Sequence, residues 1–139
     1  MLDIIILVFV GGAVGAMLRE FLMLMIPHVD GFLLDILVAN LVAAFLLGWV
    51  TALHKRNILS GDVNTLAGTG IMGGMSTFSS MVYGAVVLLG TGATRDITTT
   101  IIYLLASIIL GYIVVIIGLK LGGAGRAQPP VPLPRRDGA

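Results

Sequence analysis

Apolar residues fill four long stretches of the chain, at roughly 4–26, 32–53, 63–90 and 97–121, and short polar connections at 27–31, 54–62 and 91–96 separate them. About 20 apolar residues cross the hydrocarbon core of a bilayer as a helix, so each stretch predicts a transmembrane helix. The first begins with Asp3 and runs longer than the apolar core of a secretory leader, so it reads as a retained helix. The third exceeds what one crossing needs, and its excess coincides with GIMGGMSTFSSM at 70–81. Glycine costs about 1 kcal/mol relative to alanine inside a helix. Gly70, Gly73 and Gly74 beside Ser76 and Thr77 therefore predict an interruption near the middle of the third helix. Irregular backbone at membrane depth persists only where it is buried in protein or lines a cavity. Beyond 121 the chain changes to GGAGRAQPPVPLPRRDGA, which has nothing to pack and predicts a disordered tail at 122–139 after a four-helix unit at 1–121.

Composition supports that reading. Of 139 residues, 58% are hydrophobic and 11% charged, and the mean hydropathy is +1.08, which together describe an all-α integral membrane protein. Eight Lys+Arg against seven Asp+Glu leave a net charge of +1, without the basic face that a nucleic-acid partner requires. The absence of cysteine excludes disulfides, thiolate metal sites and cysteine nucleophiles. Four crossings put both termini on the side of Lys55, Arg56, Lys120 and the tail arginines, which predicts cytoplasmic termini.

The polar residues inside the apolar stretches carry the chemistry. In GGAVGAMLRE, Gly11 and Gly15 form a GxxxG pair that lets two helix backbones approach closely. Arg19 at the end of this stretch is read either as snorkelling to the interface or as drawing an anion toward a vestibule. Asn40 lies in the middle of LVANLVAAFLLGW, and its amide must find partners, whereas Asp35 near the span end reads as a solvated boundary residue. Tyr103, Ser107 and Gly111 recur at four-residue spacing and share one helix stripe, which reads as a hydroxyl track or as packing. At the predicted break, freed carbonyls point at something positive, and amides and hydroxyls at something negative or at water. Thr77, Ser79 and Ser80 are donors there, and the edge of the Phe78 ring is the positive part of its quadrupole. The break thus reads as an ion site. His28 and His54 sit at loop boundaries without metal-ligand spacing and read as surface residues. No catalytic constellation is visible, so the chain is not read as an enzyme.

GGAVGAMLR, then AN followed by small residues, then GIMGGMSTFS, in this order across nearly all of 1–121, resemble the Fluc (CrcB-type) fluoride channels. The resemblance implies a multi-pass subunit of the plasma (inner) membrane that pairs antiparallel with a second copy, in dual topology, to form two narrow fluoride pores. It also implies a structural sodium ion at the dimer centre, held by backbone carbonyls of the break; by motif these belong to Gly73 and Ser76. The implied pore residues are Asn40, Phe78, Ser80, Met81, Tyr103 and Ser107, with Arg19 at the vestibule. Three positions depart from the family pattern: Met81 stands for a second phenylalanine, Gly84 for a glutamate and Gly111 for a serine of the track. They leave open a heterodimer with a homologous subunit, in which this chain's pore is degenerate.

The expected activity follows from the chemistry of the ion. Hydrogen fluoride enters cells as a neutral weak acid and is trapped as the anion, so a passive selective path lets fluoride leave. Fluoride is small and strongly hydrated, and Asn40, Ser80, Tyr103 and Ser107 are the donors expected to replace its water, while larger chloride is rejected by constriction. Two rival readings remain at this point. A small multidrug or guanidinium exporter needs a carboxylate deep in the membrane, for which Glu20 is the candidate. A non-transporting membrane subunit draws its support from Met81, Gly84 and Gly111.

Overall fold

The computed structural model describes residues 2–26, 33–90 and 94–123. His28, the connection at 27–31 and the tail from 124 onward lie outside the described residues. The elements are α1 (Leu2–Met25), α2 (Leu34–Lys55), α3 (Gly61–Asn64), a π-helix π1 (Thr65–Met72), α4 (Gly73–Met75), α5 (Phe78–Leu89) and α6 (Thr94–Gly123). Helices α1 and α2 and residues Ile97–Gly123 of α6 are each long and apolar enough to cross a membrane. The chain is a multi-pass all-α membrane protein, and most of its large apolar side chains point outward, as a lipid-facing surface requires.

Elements α3, π1 and α4 form one helical run from 61 to 75, and α5 follows after two extended residues. Ser76 has φ −76° and ψ 145°, and Thr77 has φ −143° and ψ 115°. The third stretch is therefore broken near its middle, as expected, although the glycines beside the break keep helical angles. Gly70, Gly73 and Gly74 are helical, and the interruption falls on Ser76 and Thr77. Gly70 and Gly74 are needed for a different reason. A Cβ on Gly70 would sit 2.8 Å from the Cα of Gly11, and one on Gly74 would run into the backbone of Gly12. The wider winding of π1 has no counterpart in the apolar spacing of the sequence.

Two close helix pairs organise the molecule. In the first, a Cβ on Gly11 would fall 2.6 Å from the Leu66 carbonyl oxygen and 2.8 Å from Gly70, and one on Gly15 would collide with the Ile71 carbonyl and approach the Met75 nitrogen to 2.9 Å. Residue numbers rise together across this contact, so α1 and the run 61–75 are parallel. In the second pair, Gly48 faces Val115 and Leu119, Gly118 faces Phe45 and Trp49, and Gly122 faces Trp49 and Ala52, so α2 and α6 are also parallel. Lipid is as apolar as a leucine side chain, so association here depends on backbones that touch.

The second pair also corrects the tail boundary. Gly122 and Gly123, assigned to the tail from composition, continue α6, because Gly122 packs on Ala52 and its carbonyl accepts a 2.9 Å hydrogen bond from Arg56 Nη1. The loop after α2 is fixed around the same point. Asn57 takes a left-handed φ of 56°, His54 Nδ1 lies 2.9 Å from the Leu59 carbonyl, and Ser60 caps α3 through the Val63 amide. Asp35 is not the solvated boundary residue that its position suggested: it is 6% exposed, in a core that includes Ile36, Ala39, Met75 and the fully buried Tyr103. Helix α5 meets Leu33, the residue just before α2, at Gly84, where a Cβ would strike the Leu33 side chain.

Overpacking of a tight contact costs about 1–3 kcal/mol, and more where backbone is the obstacle. Gly15→Ala and Gly118→Ala are each expected to lower the thermal midpoint of the detergent-solubilised protein by at least that equivalent. Gly12→Ala, whose own Cβ would meet nothing within 4 Å, is expected to stay within about 0.5 kcal/mol of the parent. Thermal unfolding followed by circular dichroism or tryptophan fluorescence distinguishes them.

Candidate functional site

In an unbroken α-helix each N–H bonds the carbonyl four residues earlier. The Thr77 amide would serve the Gly73 carbonyl, the Phe78 amide that of Gly74, and the Ser80 amide that of Ser76. The structure redirects these groups. The Thr77 N–H donates to Asn40 Oδ1 at 2.7 Å, and Asn40 Nδ2 donates to the Thr77 carbonyl at 3.1 Å. One side-chain amide from α2 thus pairs both polar groups of a single extended residue, as a neighbouring strand would. The Ser80 N–H donates to Thr77 Oγ1 at 3.1 Å, which makes Thr77 the N-cap of α5. Arg19 Nη1, from α1, donates to the Gly74 carbonyl at 3.3 Å.

These substitutions have an electrostatic result. The carbonyls of Gly73 and Ser76 lose the donors a helix would give them, because Asn40 and the Thr77 hydroxyl take those amides. The run 61–75 ends there with the negative pole of its dipole, and α5 starts two residues later with its positive pole. Arg19 lies at the negative end. At the positive end Thr77 Oγ1 is 3.2 Å from Ser79 Oγ and donates to Ser80 Oγ at 3.1 Å.

A cavity of about 350 Å³ lies against the break, between Asn40, Ala43 and Leu47 of α2 and Gly68, Met72, Gly73 and Ser76 of the broken segment. A Cβ on Gly73 would meet nothing within 4 Å, so its backbone borders open space. Gly73 and Ser76, the two residues whose carbonyls are singled out for a cation, therefore both line this cavity, and both carbonyls have their helical donors withdrawn. Such oxygens form the donor set that hard cations take.

The remaining site residues divide. Asn40, Ser80 and Arg19 join the bonded network around the break. Phe78 is 76% exposed, and Met81 beside it on α5 is half-buried. Tyr103 is completely buried, and Ser107 donates to the Tyr103 carbonyl at 2.8 Å, so this serine bonds back to its own helix. Gly111 borders open space. Glu20 is exposed and outside the network. The residue that motif reasoning left out of the site is Thr77. Its signal was present in the sequence: a threonine directly before the apolar run that opens with Phe78, with Ser80 three positions on, is an N-cap pattern.

The protein family described as CrcB-like protein, Camphor Resistance (CrcB), matches residues 6–119, from α1 to near the end of α6. The chain belongs to the CrcB family. Among its CrcB relatives, a Brucella melitensis protein named fluoride-specific ion channel FluC 2 is 58% identical over 123 residues, covering 88% of this chain and 45% of the relative. The chain thus spans less than half the length of that protein. A Yersinia pseudotuberculosis protein, fluoride-specific ion channel FluC 3, is 50% identical over 92% of this chain and 95% of its own length. A Thermus thermophilus protein, fluoride-specific ion channel FluC, is 33% identical over 86% of this chain and 94% of its own.

A buried donor or acceptor left unpaired costs about 1–3 kcal/mol. Asn40→Ala is expected to lower stability by that order and to speed hydrogen exchange at the Thr77 amide. Asn40→Asp keeps the acceptor for that amide and is expected to keep its protection while losing the bond to the Thr77 carbonyl. Exchange of the peptide spanning the break, read by mass spectrometry, checks both.

Proposed function

We propose that this CrcB protein is a passive, fluoride-selective channel of the plasma (inner) membrane and not an enzyme. The broken segment 61–89 serves as the third of four crossings. The observation that carries this reading is the break itself, where side chains from α1 and α2 hold an unwound backbone with its cation-seeking carbonyls and anion-seeking donors back to back. The printed names of the relatives agree with it.

In this reading two copies associate antiparallel and form two pores, each lined by Asn40, Phe78, Ser80, Met81, Tyr103 and Ser107, with Arg19 at the vestibule. The 76% exposure of Phe78 supports pairing, since a partner subunit would cover it and turn its ring edge to the ion. A sodium ion at the dimer centre fits the carbonyls of Gly73 and Ser76 and would supply fixed positive charge that holds two break segments together. Fluoride exchanges its water for hydroxyl and amide donors, and the narrowness of the path rejects chloride. The chain uses no titrating group for transport and moves the ion down its gradient.

Fluoride efflux from liposomes, followed with a fluoride-selective electrode, tests the reading. Rapid release is expected from the parent protein, and loss of that release with Phe78→Ile. Proton movement driven by an organic cation and abolished by Glu20→Gln would assign the protein to exporters instead. Purification in choline salts without sodium is expected to lower flux, with recovery on adding sodium back. Flux unchanged after sodium removal would eliminate the cation from the proposal.

A further inference from the structure

Thr77 is 8% exposed, and its hydroxyl has three close neighbours: the Ser80 amide at 3.1 Å, Ser80 Oγ at 3.1 Å and Ser79 Oγ at 3.2 Å. A hydroxyl carries one hydrogen and two acceptor lone pairs. The single Thr77 hydrogen goes to Ser80 Oγ. Both lone pairs must then accept, one from the Ser80 N–H and the other from the Ser79 hydroxyl, which fixes the direction of the bond to Ser79. Ser80 Oγ thereby receives a hydrogen bond, and its own hydrogen turns away from Thr77. Among the described residues that hydrogen is given to no protein atom, and the second Nδ2–H of Asn40 is in the same position. An uncommitted O–H at membrane depth is costly unless an anion or water meets it.

We propose that Thr77 is a positioning residue for anion passage: its hydroxyl, fixed through the two-point grip of Asn40 on the Thr77 backbone, aims the Ser80 O–H at the permeating ion. The inference rests on the channel reading above and deepens it. Thr77 does not touch the anion. It sets the polarity of its neighbour, so that fluoride meets the hydrogen of Ser80 and not a lone pair. Ser79 has the opposite fate, because its hydrogen is spent on Thr77 and it has no donor left for the path. Two adjacent serines that look equivalent in the sequence thus have unequal roles.

The test separates orientation from capping. Thr77→Ser keeps both the cap and the donated hydrogen, so fluoride flux and its preference over chloride are expected at parental levels. Thr77→Asn keeps an accepting cap for the Ser80 amide but cannot donate a hydroxyl hydrogen. Flux is expected to fall roughly tenfold to a hundredfold, the equivalent of one hydrogen bond to a charged group, with the Ser80 amide still protected from exchange. Ser80→Ala is expected to match that loss, and combining it with Thr77→Asn is expected to add little. If Thr77→Asn does not fold, Thr77→Val is compared with Thr77→Ser at equal folded fraction. Parental flux in a folded Thr77→Asn protein, or in Ser80→Ala, overturns the role of Thr77 and leaves the channel intact. No fluoride flux from the parent protein removes the channel reading, and this inference with it.

Discussion

A helix that stops in the middle of an apolar slab leaves amides and carbonyls that lipid cannot pair. The double hydrogen bond between the Asn40 side chain and the Thr77 backbone is the contact that makes such a stop tolerable here. It supplies from α2 what the next turn of helix would have supplied. It also consumes the amide that would have served Gly73 in a continuous helix, so stabilising the break and withdrawing that carbonyl's helical donor are the same event. The Thr77 hydroxyl does likewise for Ser76 by capping α5. Local stability and the proposed ion chemistry cannot be pulled apart at these residues.

The glycine contacts make that geometry reachable. Arg19 can serve the Gly74 carbonyl because Gly11 and Gly15 let α1 lie directly on the run 61–75. Asn40 is held in place because Gly48, Gly118 and Gly122 bring α2 onto α6. A Cβ on any of these glycines would meet facing backbone at 2.7 Å or less, so the paired helices would have to separate. Two further glycines differ in what surrounds them. Gly84 packs against the Leu33 side chain, which a Cβ there would strike. Gly111 borders open space, so a side chain there would meet nothing within 4 Å.

Much of the fold was written in apolar length. The bounds of α1, α2 and α6 follow the apolar stretches to within a few residues, because one thickness of hydrocarbon sets them all. The existence of a break was also legible, since glycines and hydroxyls clustered in an apolar run weaken a helix where lipid offers its backbone no substitute partner. So was its place near the middle of the third stretch, at Ser76 and Thr77; what was not legible is that the glycines beside it stay helical. Gly70 and Gly74 look like helix breakers until Gly11 and Gly12 are seen against them, and the actual interruption is the capping threonine with the serine before it. The pairs Gly70/Gly74 and Gly118/Gly122 have the same GxxxG spacing as Gly11/Gly15, so their packing role could have been read from the chain. Asp35 was misplaced because hydropathy counts a residue at the end of a stretch as wet, whatever folds over it.

What the sequence by itself determined is the solvent this protein lives in, the rough bounds of three long apolar helices, and the residue types gathered near one interruption. Those follow from composition and spacing, which act along the chain. What only the tertiary structure decided is which hydrogen goes to which oxygen: that Asn40 grips Thr77 from both sides, that Arg19 answers Gly74, that Ser107 turns back on its own helix, and that Ser79 and Ser80 differ. A hydrogen bond depends on ångström distances between helices far apart in the chain, and those distances are set by how closely their backbones pack.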